Sequence, residues 1–132
     1  MYPELAGKHV IVTGASRGIG YAVAQALCQA KARVLILVET NEIEAAAKSL
    51  SELCGSPVVP LLCDITDRLR LRDVIAAQGP LDVVIANAGT GDITSIDGPD
   101  PAIAMVFEHL IRVNLFGAYN TVRATLPAFE AV

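Results

Sequence analysis

Four short apolar runs in the first 86 residues are separated by three stretches with helical patterning, and this alternation constrains the fold more than any other feature. The runs are KHVIVTG at 8–14, RVLILV at 33–38, PVVPLLC at 57–63 and LDVVIA at 81–86. RVLILV lacks polar alternation, as a central parallel strand covered on both faces would. Between the runs, Ile19, Val23, Ala26, Leu27 and Ala30 share one helical face, and Ile43, Ala47, Leu50 and Leu53 share another. Asn41 and Glu44 have the spacing of a capping box, with Gly55 as a C-terminal stop. Thr66 is expected to cap a third helix bearing Leu71, Val74 and Ile75 and ending near Gly79. After a DGPDP loop at 97–101, a long helix is expected from about Ala102 to Thr125, with Val106, Leu110, Val113, Gly117 and Thr121 close to one face and Pro127 ending it.

Strands joined by helices pair in parallel through right-handed crossovers, so helices cover both faces of the sheet. The expected fold is therefore α/β, a three-layer Rossmann-type doubly wound parallel sheet present as its N-terminal half, strand order 3-2-1-4. Residues 1–132 make a single domain, and 53% apolar content is enough to bury its core. Ligands in such sheets bind beyond the carboxyl ends of the strands, where the winding reverses between strands 1 and 4.

A glycine-rich turn, Thr13-Gly14-Ala15-Ser16-Arg17-Gly18-Ile19-Gly20, falls at that place between strand 1 and helix 1. A pyrophosphate needs backbone N–H groups at a helix N-terminus and no side chain blocking close approach. Gly14 would allow the tight turn, Gly18 the approach, and Gly20 the packing of helix on strand. An ordinary strand-to-helix turn would use glycines too, so the string is weak evidence alone.

Other ligand classes find little support. A net charge of −4 and a pI near 5.0 argue against nucleic acid or an anionic membrane, which select basic surfaces. No apolar window approaches a membrane span, and the N-terminus lacks the pattern of an export signal. Cys28, Cys54 and Cys63 form no metal pattern, and their odd number does not suggest a disulfide framework, so a reduced, cytoplasmic setting is expected. His9 and His109 have no second ligand at metal spacing and read as surface or packing residues. No metal is expected.

The glycine turn, the Asn87-Ala88-Gly89 triplet after strand 4 and the Val113-Asn114 pair in the following helix together resemble the short-chain dehydrogenase/reductase family, from about Gly7 to Pro127. The resemblance implies that Gly14, Ser16, Arg17, Ile19 and Gly20 line the pyrophosphate and adenosine ribose of a nicotinamide dinucleotide. It implies that Asp64 bonds the adenine amino group between Cys63 and Ile65, although a carboxylate there also suits the cap of the next helix. Asn87 and Gly89 would border the nicotinamide-side ribose and stabilise the sheet. Asn114, which helix patterning alone would place at the surface, matches an asparagine that kinks the helix and holds the water of a proton relay.

Cofactor choice rests on the end of strand 2. Glu39 lies 19 residues after Gly20, where an acidic side chain accepts from a ribose 2′-hydroxyl and repels a 2′-phosphate, which favours NAD. The family's NAD-selecting aspartate aligns instead with Val38, Glu39 stands where NADP-preferring relatives carry arginine, and Arg17 is placed to meet a 2′-phosphate, so NADP stays open. Relatives continue with a catalytic serine and a Tyr-x-x-x-Lys helix, so the domain is expected to be incomplete at its C-terminus. Tyr119 and Arg123 imitate that signature but read as a helix-surface pair.

The parent protein is thus expected to be an NAD(P)-dependent oxidoreductase acting on a small carbonyl or alcohol. A non-catalytic dinucleotide-binding module and an inactive truncated product are the alternatives. A half-sheet would leave strand 1 or strand 4 with an open edge, and the resemblance places the long helix in a dimer interface, so a homo-oligomer is expected.

Overall fold

The computed structural model describes residues 2–91 and 97–130. After a 3-10 turn at Pro3–Leu5 the order is β1 (His9–Thr13), α1 (Gly18–Gln29), β2 (Arg33–Val38), α2 (Glu42–Cys54), β3 (Val59–Leu62), α3 (Arg68–Ala76), β4 (Val83–Ile85) and α4 (Asp100–Ile111). A π-helical segment, Arg112–Gly117, joins α4 to α5 (Ala118–Glu130). The strands form one parallel sheet ordered β3-β2-β1-β4, as the sequence predicts, with Val12 opposite Ile36 on one side and Ile85 on the other. The open edges are therefore β3 and β4; β1 is interior, which corrects one of the two edges expected.

Alternate side chains of the central strands enter different cores. Val10, Val12, Val34, Ile36 and Val38 pack with α1 and α2, whereas Ile11, Leu35 and Leu37 pack with Leu71 and Ile75 of α3 and with Ala124 and Ala128 of α5. Burial on both faces explains why β1 and β2 read as unbroken apolar runs.

Several local expectations change. The buried face of α1 is Gly20, Ala24 and Cys28, small residues that let the helix lie close on the sheet, while Ile19 is 78% exposed. Asn41 precedes α2 in a helical conformation with no side-chain bond, so there is no capping box; Gly55 does end that helix, with φ of 66°. Asp67, not Thr66, caps α3, its carboxylate accepting from the Arg70 N–H at 3.2 Å. DGPDP is only partly loop, since α4 begins at Asp100. Pro127 sits inside α5 rather than ending it. Proline removes one helical bond, but Ala124 and Ala128 are held in the core and the Ala128 carbonyl accepts from Leu81 N–H, so tertiary packing carries the last turn onward.

Cys28, in the last turn of α1, is disulfide-bonded to Cys54, the last residue of α2, across a Cα–Cα distance of 5.8 Å. This corrects the reduced-thiol reading and removes its support for a cytoplasmic setting. Alkylating the denatured, unreduced protein should label Cys63 alone, and reduction should expose all three thiols. Closing a loop of this length, 26 residues apart, contributes about 3 kcal/mol in the chain-entropy account. Reduction should therefore lower the melting temperature by roughly 10 °C; three labelled cysteines without reductant would contradict the pairing.

Candidate functional site

A cavity of about 440 Å³ opens beyond the carboxyl ends of the strands. The glycine turn forms one wall. Gly14 and Gly18 have φ of 67° and 61°, a region where side chains are strained. Arg17 precedes α1 without a side-chain cap, and the first turn of α1 holds no acidic residue. The N–H groups of Gly18, Ile19 and Gly20 thus lack intrahelical acceptors and sit at the positive end of the helix, against the cavity.

The three glycines serve different ends. A Cβ on Gly18 would meet nothing within 4 Å, so that glycine keeps the wall open. On Gly20 it would collide with the Gly14 carbonyl and the Asn87 side-chain amide, and on Gly14 it would lie 2.7 Å from Ala88 Cα. These two let α1, β1 and the segment after β4 converge.

That convergence is hydrogen-bonded as well. Thr13 Oγ1, buried at the end of β1, accepts from the N–H groups of Asn87 and Ala88 at 3.0 and 2.9 Å. Asn87 Nδ2 donates to the carbonyls of Thr13 and Gly14. Asn87 therefore ties the turn after β4 to β1, and Asn87, Ala88 and Gly89 line the cavity beside the glycine turn.

Glu39 forms the wall after β2, and Cys63, Asp64 and Ile65 the wall after β3. Asp64 Oδ1 accepts from Thr66 N–H and from Thr66 Oγ1, both at 2.8 Å, so it shapes a local turn and does not cap α3. Among the described residues its Oδ2 has no partner. Burial pushes the Cys63 thiol up, with the Arg70 guanidinium pulling the other way, and Sγ donates to the Asp64 carbonyl. Cys63 is thus a neutral filler at neutral pH rather than an activated nucleophile.

All the residues expected to hold the cofactor thus line one cavity, and Asn114 stands just outside it. It lies in the π-helical segment, and its amide meets one residue twice: Oδ1 accepts from Thr90 N–H at 2.7 Å and Nδ2 donates to the Thr90 carbonyl at 2.8 Å. Asn114 Oδ1 lies 3.1 Å from where a Gly89 Cβ would stand, so it adjoins the cavity from behind Gly89 and Thr90.

Sequence reasoning missed Thr40, Glu42, Thr90, His109 and Val113 as cavity residues. Glu42 had a signal, being one helical start away from Glu39. His109 had one too, four residues before Val113 on the same helical face. Charged side chains in the wall are Arg17 against Glu39, Glu42 and Asp64. Asn120 was also missed: it is buried and donates to the Ile65 carbonyl at 3.0 Å, fixing α5 against the loop after β3. His9 is likewise buried, its Nδ1 2.7 Å from the Pro80 carbonyl. Tyr119 and Arg123 lie on the exposed side of α5. Among the described residues no cluster of His, Cys, Asp and Glu could hold a metal, and no helix is long and apolar enough to cross a membrane.

The model of a family described as short chain dehydrogenase matches residues 8–131. A 3-dehydrosphinganine reductase of Arabidopsis thaliana is 34% identical over 125 residues, covering 94% of this chain and 37% of that protein. Among solved structures, carveol dehydrogenase from Mycobacterium avium in complex with NAD aligns with a TM-score of 0.80 and 25% identity, covering 94% of this chain and 50% of that one. L-Sorbose reductase from Gluconobacter frateurii, complexed with NADPH and L-sorbose, aligns with a TM-score of 0.82 and 25% identity, covering 99% and 51%. The chain spans about half or less of the length of these relatives.

Proposed function

This chain belongs to the short chain dehydrogenase family, and on that premise we propose that its cavity holds a nicotinamide dinucleotide for a parent oxidoreductase. The observation that carries the proposal is the uncapped, acid-free N-terminus of α1 opening into one cavity with Asp64 and the Asn87–Gly89 segment. Glycines whose side chains would fill or distort that wall fit a diphosphate held by backbone N–H groups.

In this reading, Gly14, Ser16, Arg17, Gly18, Ile19 and Gly20 take the pyrophosphate and adenosine ribose. Asp64 Oδ2 accepts from the adenine amino group, with Cys63 and Ile65 flanking the ring. Asn87, Ala88 and Gly89 border the nicotinamide-side ribose. The bound dinucleotide supplies hydride exchange with a small carbonyl or alcohol, and the protein orients it. Asn114 positions the Gly89-Thr90 backbone at that end and is placed to hold a proton-relay water. The exposed apolar side chains Leu115, Phe116, Val122 and Leu126 of the long helix support a homo-oligomer of the parent protein.

NAD is the proposed cofactor over NADP. Glu39 and Glu42 both line the wall after β2, and two carboxylates there against the single guanidinium of Arg17 disfavour a 2′-phosphate. Fluorescence titration should give tighter binding of NADH than of NADPH, and Glu39→Arg should shift the ratio toward NADPH by about tenfold. Tighter NADPH binding by the unmodified chain would reverse the assignment.

A further inference from the structure

We infer that His109 forms the outer wall of the adenine subsite, its imidazole packing flat against the base; the inference rests on the dinucleotide reading of the cavity. α4 and the π-helical segment contribute His109 and Val113 to the cavity wall. Their place along the cavity is set by the helix. A Cβ on Gly117 would strike the Ile65 side chain, and Asn120 bonds the Ile65 carbonyl, so the helix crosses over the loop after β3. Val113, a turn earlier, packs against the cluster containing Cys63 and Ile65. His109 lies four residues before that, about 6 Å farther along the axis, and so continues the same wall outward from the sheet.

At the other end of the cavity Asn114, on a neighbouring helical face, is bonded to Thr90. The base is thus bounded by Cys63, Ile65 and Val113 near the sheet and by His109 near solvent. Cys63, Ile65 and Val113 are apolar and contribute no π-face, whereas imidazole does, and aromatic stacking on a nucleobase is among the stronger contacts available to an exposed side chain. His109 is surface-exposed, so replacing it removes little packing from the protein itself.

The test titrates ADP-ribose, which carries the adenosine diphosphate portion without nicotinamide, into the unmodified chain, His109→Ala and His109→Phe, with melting temperatures recorded alongside. Equal melting temperatures are expected. His109→Ala should weaken ADP-ribose binding by about five- to tenfold, and His109→Phe, which keeps a flat ring, should stay within about twofold of the unmodified chain. Unchanged affinity in His109→Ala, or an equal loss in both variants, would overturn the stacking role. No binding of ADP-ribose by the folded unmodified chain would instead overturn the reading of the cavity, and the inference with it.

Discussion

Gly20→Ala is expected to abolish dinucleotide binding and to lower the melting temperature by about 10 °C or more. The added Cβ would overlap the Gly14 carbonyl oxygen and the Asn87 side-chain amide. Gly14 cannot retreat. Its own φ is 67°, and Ala88 Cα stands only 2.7 Å from where a Gly14 Cβ would lie. Relief therefore requires the N-terminus of α1 to move away from β1, which removes the first-turn N–H groups from the cavity wall. Overpacking of this kind costs about 1–3 kcal/mol, and losing the Asn87 bonds adds to it. Gly91→Ala is the matched control, because a Cβ there meets none of the described residues within 4 Å and its φ is not in the strained region. It should melt within about 1 °C of the unmodified chain. A Gly20→Ala protein with unchanged stability and NADH affinity would show that helix and strand do not approach as closely as described.

Thr13→Val is expected to cost about 2 kcal/mol and to weaken dinucleotide binding, despite preserving side-chain volume. Thr13 is 1% exposed, and its hydroxyl oxygen accepts from two successive backbone N–H groups. Asn87 N–H keeps a second acceptor in the Ile85 carbonyl, but among the described residues Ala88 N–H has no other and would lose its bond. A part-buried donor left without its acceptor loses that bond and recovers only part of its hydration. The turn after β4 should loosen, taking Asn87 and Gly89 with it. Thr13→Ser restores the acceptor and should recover most of the loss. Equal stability of Thr13→Val and Thr13→Ser would remove the hydroxyl from the account.

The sheet was legible because periodicity and length settle it. Branched apolar runs buried on both faces read as central parallel strands when helical stretches separate them, and order 3-2-1-4 is that of the doubly wound half expected from such units. The cavity was legible for a related reason: strand ends, glycines and the Asn87–Gly89 segment are read directly from the chain. What patterning misjudged was local and set by tertiary contacts. Ile19 scores as a core residue by hydropathy, yet α1 approaches the sheet through Gly20, Ala24 and Cys28, which turns Ile19 outward to the cavity rim. Pro127 reads as a stop, yet Ala128 is anchored to Leu81. Thr66 and Asp67 are both good caps, and the turn made by Asp64 engages Thr66 and leaves Asp67 to the helix. Cys28 and Cys54 are brought together only when α1 and α2 pack side by side, which no spacing rule foresees. His109 became a site residue because the helix crosses Ile65, a contact between residues far apart in sequence.

Titrating NADH into the 132-residue chain by calorimetry, with its folded state checked by circular dichroism, addresses the central claim most directly. The account predicts saturable binding at one site, a melting temperature that rises with NADH concentration, and loss of both in Gly20→Ala. A folded chain that takes up neither NADH nor NADPH, and whose melting temperature neither cofactor raises, would contradict it.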